Sequence, residues 1–151
     1  MQEKNRQLNK KRIIHRGCDT TEINLGGCEP MTLNLSEHAY RRAFERLGLD
    51  KSGVKMEMRR LLENSQMAEF LFQEVESEIL LYCEQSENLL DGAVMVLIPA
   101  LHDITLKTII NRREDGFILR NTNICFFFIK NKLEQVSIDT FVKKVGYMRI
   151  G

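Results

Sequence analysis

The sequence predicts an α+β fold: two N-terminal helices packed on one face of an antiparallel β-meander, with a C-terminal helix closing the chain. Three observations carry this. Apolar residues recur at three- and four-residue spacing between Ser36 and Asn64. Near Glu78 the pattern changes to short runs rich in Ile, Leu, Val and Phe, divided by turn-forming residues. Helical spacing returns after Ser137. Helices followed by a hairpin-linked sheet segregate into layers, helices on one face. A chain of 151 residues, 43% hydrophobic and 28% charged, suits one domain with an ordinary core. The expected organisation is a basic arm and loop over 1–30 and a single α+β domain over 31–151.

Residues 1–16 are polar and basic, with six Lys or Arg against one Glu. Their only paired apolar residues are Ile13 and Ile14, too little to anchor a core, so this segment reads as an arm. Gly17, Gly26, Gly27 and Pro30 mark 17–30 as a loop. MTLNL (31–35) reads as a short strand leading to Ser36, a good N-cap. The helix over 36–47 places Ala39, Tyr40, Ala43, Phe44 and Leu47 on one arc, and Gly48 ends it. Ser52 caps a second helix running to about Asn64, and 66–77 leans to helix. The runs EILLYCE, AVMVLIP, ITLKTIINR, FILR and ICFFFIK follow as strands, with SENLLDG, ALHD, REDG and NTN as turns. The tail from Ser137 sets Ile138, Phe141, Val142 and Val145 on one helical face.

Composition excludes several classes. No apolar run approaches the roughly 18 residues a membrane helix needs, and the amino end lacks the apolar stretch of a signal peptide. Cys18, Cys28, Cys83 and Cys125 form no CxxC pair, and His15, Cys18 and Cys28 lack the paired spacing of structural zinc. Reduced thiols in a cytoplasmic protein, with no metal or cofactor, are expected. The net charge of +1 conceals a basic amino end, an acidic stretch from Glu57 to Asp91, and a basic lead from Lys107 onward. Segregation of this kind lets a near-neutral protein attract a polyanion on one side.

The stretch 36–48, SEHAYRRAFERLG, concentrates the candidate chemistry. Residues four apart on a helix differ by about 40° in direction, so His38, Arg42 and Arg46 form one ridge, expected at the border of the buried arc. On the strand ITLKTIINR, alternation sets Lys107, Asn111 and Arg113 on one face and Thr108 and Arg112 on the other. A histidine beside guanidinium groups and a hydroxyl suits metal-free RNA cleavage. The imidazole moves protons near neutral pH, and arginine forks stabilise the charged phosphorane. Only RNA supplies the 2′-hydroxyl nucleophile. The run Phe126–Phe128 lacks interleaved basic residues and reads as core rather than a base-stacking platform.

Residues 35–50, LSEHAYRRAFERLGLD, resemble the first helix of the RelE-like and barnase-like superfamily of small metal-independent ribonucleases. The pattern Ser-x-His-x-x-x-Arg-Ala-x-x-Arg is similar to that of a T-even phage endoribonuclease of the group, and LKTIINRR (106–113) resembles one of the superfamily's late strands. The resemblance implies a toxin-like or phage-type endoribonuclease, a RelE-like domain over 31–151, and RNA plus an antitoxin or inhibitor protein as partners. It implies catalytic roles for His38, Arg42, Arg46 and Thr108. RNA contacts would come from Arg41, Lys107, Arg112, Arg113, Lys10, Lys11 and Arg12. The phage enzyme takes a second histidine from its next helix, and residues 52–64 hold none. Either another side chain takes that part, or the chain is a binding module on the same scaffold. For the arm, deletion of residues 1–16 should leave the melting temperature nearly unchanged while flattening the salt dependence of RNA affinity, since each lost cation releases one counterion fewer. A truncated chain that fails to fold would show that Ile13 and Ile14 are anchored.

Overall fold

A computed structural model of the chain describes residues 18–25, 30–64, 66–67, 77–111, 118–119, 124–146 and 149–150. The basic arm, and with it Lys10, Lys11 and Arg12, lies outside the described residues, as does most of the helix expected over 66–77.

The described elements are β1 (Cys18–Ile23), β2 (Met31–Ser36), α1 (Glu37–Leu47), α2 (Lys51–Leu62), β3 (Ile79–Glu84), β4 (Ala93–Pro99), β5 (Asp103–Asn111), β6 (Ile118–Leu119), β7 (Ile124–Ile129), β8 (Lys132–Val136), α3 (Ile138–Val145) and β9 (Arg149–Ile150). Seven strands form one sheet in the order β1-β2-β5-β4-β3-β7-β8, and β6 pairs with β9. Strands β3, β4 and β5 pair antiparallel. The β1–β2 hairpin joins β5 through a parallel β2–β5 pair, and the β7–β8 hairpin joins β3 through a parallel β3–β7 pair. The sheet is therefore mixed, which corrects the expected antiparallel meander. Two of its strands, β1 and β2, precede the helices, and β1 occupies part of the expected 17–30 loop.

The layers add to the expectation. Ala39, Tyr40 and Ala43 of α1 and Val54, Met58, Leu61 and Leu62 of α2 share one core with Leu33, Leu35, Leu81, Met95, Leu97, Leu106 and Ile109. Helix α3 covers the opposite face: Phe141 and Val145 are buried with Leu80, Tyr82, Val94, Val96, Ile110 and Phe127. Phe127 stacks on Phe141 at 5.7 Å between centroids and meets Tyr82 edge-on at 5.9 Å. Helices α1 and α2 thus share one face, as expected of them, while α3, whose face the sequence does not assign, covers the other. The consequence is visible in β3, where Ile79 to Cys83 are all buried, because a strand covered on both sides is apolar without alternation.

Local signals define the helices. Ser36 Oγ accepts the Ala39 N–H at 3.0 Å, and Gly48, at φ 69°, ends α1. The Gly48 N–H reaches the Phe44 carbonyl and the Leu49 N–H the Ala43 carbonyl, a Schellman turn that lays Leu49 against the core. The cap of α2 is Asp50, not Ser52; its Oδ1 accepts the Gly53 N–H at 2.7 Å. Ser137 caps α3. Lys130 and Asn131, both at positive φ, make the two-residue turn between β7 and β8. No described helix is long and apolar enough to cross a membrane.

One irregularity positions the site. Val96 lies opposite Thr108 while its neighbour Leu97 lies opposite Leu106, so Lys107 is an extra residue bulged out of β5. The bulge switches the alternation: Leu106 and Ile109, three apart, both face α1 and α2, whereas Thr108 and Ile110 face the other side. Beyond Leu106, β5 also outruns β2, whose parallel pairing ends at Leu35–Leu106. Helix α1 supplies the partners the overhang lacks. Ser36 Oγ donates to the Lys107 carbonyl at 3.2 Å, and Arg46 Nη1 donates to the Ile109 carbonyl at 2.6 Å.

A hydrogen bond from a charged donor contributes about 1.5–3 kcal/mol, and its loss leaves a part-buried carbonyl unpaired. Arg46→Ala should therefore destabilise the fold by about that amount in urea titrations, with Arg46→Lys recovering only part. An Arg46→Ala protein as stable as the parent would show that water satisfies the carbonyl instead.

Candidate functional site

The exposed face of α1 gathers four of the residues that the sequence singles out. Going round the helix in steps of about 100°, Arg46 borders the sheet, then come Arg42, His38 with Glu45, and Arg41; Glu37 and Phe44 border the α1–α2 turn. His38 is exposed and points away from the buried arc rather than along its border. Helix α1 starts at the end of β2 because Ser36 both closes the strand and caps the helix.

The arginines are not equivalent. Arg46 is half-buried and spends a donor on the Ile109 carbonyl. Arg42 makes a 3.0 Å ion pair with Glu45, both side chains more than a third exposed. A pair of this kind contributes only about 0–1 kcal/mol and is readily exchanged for another anion. Arg41 is exposed, and among the described residues no carboxylate pairs with it. The surroundings hold the His38 imidazole below its ordinary pKa. Partial desolvation is the largest cause, followed by the positive charges of Arg42, Arg41 and Arg46, with Glu45 opposing.

The remaining candidates are placed elsewhere. Thr108 is half-buried on the sheet face opposite α1, cross-strand from Val96, so the bulge keeps its hydroxyl apart from His38. Lys107 is exposed and pairs with Glu78 at 3.0 Å. Arg112 and Arg113 lie outside the described residues. His102 is exposed in the β4–β5 turn, where its carbonyl accepts the Thr32 N–H at the start of β2. His38 lies two residues beyond the other end of that strand, Ser36, which is itself four residues and roughly 13 Å from Thr32 at the rise of an extended chain. Among the described residues, therefore, no second histidine shares the face. No group of three or more His, Cys, Asp or Glu among them is placed to hold a metal.

Two features escaped the sequence reading. Phe44, expected on the buried arc, is 67% exposed and borders a groove of about 400 Å³ at the α1–α2 turn. Its position near the arc's edge was legible, but the Schellman turn that lays Leu49 against the core was not. The second is a polar tie from the sheet edge to both helices. Asp19 of β1 accepts from the Tyr40 hydroxyl at 2.9 Å and pairs with Lys55 at 2.6 Å. The hydrogen bonds from Lys55 and Tyr40 hold the Asp19 carboxyl below its ordinary range, while burial and the bond to Asp19 push the Tyr40 phenol up. These groups are mutually committed and structural. Burial raises the Cys83 and Cys125 thiols to about 12, which leaves both inert at neutral pH.

Compared with known proteins, the chain matches no family model, no curated protein and no solved structure. The resemblance to RelE-like ribonucleases rests on the two motifs at 35–50 and 106–113.

His38 should titrate below the usual histidine range in a ring-proton NMR titration, so the imidazole is neutral at pH 7. Because the folded-state pKa is depressed, the folded chain binds this proton more weakly than the unfolded chain. Its contribution therefore favours folding above the unfolded-state pKa and is lost as pH falls. Arg42→Ala should move the titration upward by removing a like charge. An unchanged or lower midpoint in that variant would show that the Arg42 charge has no part in it.

Proposed function

We propose that this protein binds single-stranded RNA through the exposed face of α1, acting by contact rather than cleavage. The observation that carries the reading is the make-up of that face. Arg41 has no carboxylate partner among the described residues, Arg42 is held only by an exchangeable surface pair, and His38 stands between them without a second histidine from the described residues. Two guanidinium forks one residue apart suit successive phosphate oxygens of a flexible strand, and their planar donors bind phosphate bidentately. Arg46 is engaged by the sheet and contributes field rather than contact.

The second reading is the metal-independent endoribonuclease implied by the resemblance, and the lowered pKa of His38 favours it. A neutral imidazole at pH 7 is competent to take the proton of a 2′-hydroxyl. In that mechanism Arg42 would stabilise the phosphorane, and a donor for the 5′-oxygen would be required besides His38. Lys107, whose carbonyl accepts the Ser36 hydroxyl at the α1 N-terminus, is one described candidate, though it is paired with Glu78.

One pair of measurements separates the readings. In anisotropy titrations with an RNA oligonucleotide, Arg41→Ala and Arg42→Ala should each weaken binding and reduce the slope of log affinity against log salt by about 0.7, the value of one phosphate contact on a single strand. Wild-type affinity and slope in both variants would remove α1 as the contact surface. End-labelled RNA incubated in excess EDTA should stay intact. Products ending in 2′,3′-cyclic phosphate, lost by a factor of about 10²–10⁴ in a folded His38→Ala protein, would establish the nuclease instead.

A further inference from the structure

We propose that the groove beside α1 is a nucleobase site, in which one base of a single-stranded RNA stacks on the exposed ring of Phe44 while Arg41 holds the neighbouring phosphate. The proposal rests on the RNA-binding reading of the same face and says where on it a base goes.

The groove has an apolar floor and a rim of charge. Tyr40, Phe44 and Leu49 line it, with Phe44 the most open of them at 67% exposure. Its volume of about 400 Å³ falls within the range of small-ligand sites, about 300–1,000 Å³. Of the four charged residues on the rim, three are occupied. Glu37 pairs with Lys51 at 3.2 Å, and Lys51 also lies over the Tyr40 ring at 5.4 Å. Asp50 is bound to the Gly53 N–H as the cap of α2. Asp50 keeps its charge, so the rim is neutral in sum, but the one cation on it without a carboxylate partner among the described residues is Arg41, and its guanidinium stands beside one exposed aromatic face.

That combination is what unstacked nucleotides use: every base has a π-face, and stacking on a ring beside a guanidinium tolerates any sequence. The spacing agrees. Arg41 lies three residues from His38 on one side and three from Phe44 on the other, so each is just under one helical turn, roughly 4.5 Å, away along the axis. A phosphate held at Arg41 therefore has its own base within reach of Phe44 and the next phosphate within reach of His38 and Arg42. The Phe126–Phe128 run offers no rival platform, since all three rings are buried in the sheet.

The chain contains no tryptophan, so Phe44→Trp installs a single indole in the groove. The probe is a 2′-O-methyl RNA decamer, which cannot be cut by its own 2′-hydroxyl; inorganic polyphosphate is the base-free polyanion. The decamer should quench the indole saturably and polyphosphate should not. Phe44→Ala and Phe44→Leu should each weaken decamer binding by roughly five- to a hundredfold with the melting temperature unchanged. Binding with unaltered fluorescence and full affinity in both variants overturns the groove and leaves the RNA-binding reading standing. Equal quenching by polyphosphate overturns it likewise. Full affinity in Phe44→Leu with loss in Phe44→Ala assigns the ring to an apolar contact, as with a protein partner, and also overturns it. No binding of the decamer at all removes both readings.

Discussion

The overhang of β5 past the end of β2 is the constraint on which the arrangement of this protein depends. A sheet strand with one side unpaired presents carbonyls that cannot be left unsatisfied where they are partly covered. Here the chain turns out of β2 at Ser36 and lays α1 along the gap, with the Ser36 hydroxyl on the Lys107 carbonyl at one end and Arg46 on the Ile109 carbonyl at the other. The same serine oxygen caps the helix, so strand end, helix start and bulge are set by one side chain. Once α1 is seated, its apolar arc meets Leu106 and Ile109, which the bulge has brought to one face. The opposite arc, carrying His38, Arg41 and Arg42, is thereby turned outward.

Much of this was legible in residue types, and the part that was not has a physical reason. Ser36, Gly48 and the spacing of Ala39, Tyr40 and Ala43 specify α1 locally, because caps and periodicity act within a few residues. Strand β1 was invisible for the opposite reason. CDTTEI has one fully buried apolar residue, Ile23, and is held by Asp19 to Tyr40 and Lys55, contacts that exist only after folding. Strand β8 is similar: KLEQV has no buried residue, and its start is fixed by the Gln66 amide, which bonds the Asn131 carbonyl and the Leu133 N–H. The parallel joins are long-range choices that no local pattern encodes. The unbroken apolar runs of β3 and β4 did carry a signal for helices on both faces, because one-sided burial would have produced alternation.

For the site, the sequence placed His38, Arg42 and Arg46 on one helical ridge at the border of the buried arc, whereas His38 points away from that arc, and it assigned the strand residues by simple alternation. The inserted residue at Lys107 keeps the alternation from Thr108 onward but reverses its phase relative to Leu106, so that Thr108 faces the α3 side of the sheet. Bulges follow from pairing register rather than composition, so neither the reversal nor its effect on a hydroxyl–imidazole pair could be read from ITLKTIINR alone.

The division of labour along α1 also explains why counting arginines overstates the phosphate-binding capacity of this face. A guanidinium bound to a part-buried carbonyl is worth more to the fold than an exposed ion pair, by about 1.5–3 against 0–1 kcal/mol. Arg46 therefore stays with Ile109, and Arg42 is the one that can leave Glu45 for an incoming anion. Arg41 needs to leave nothing. The charge that anchors the helix is thus distinct from the charge presented to solvent, although the two are one turn apart. Phe44 completes the contrast: Leu49 is laid against the core by the αL turn at Gly48, while the Phe44 ring stays exposed at the edge of the cationic face. The helix end that satisfies the fold also carries an aromatic face and a guanidinium side by side in water.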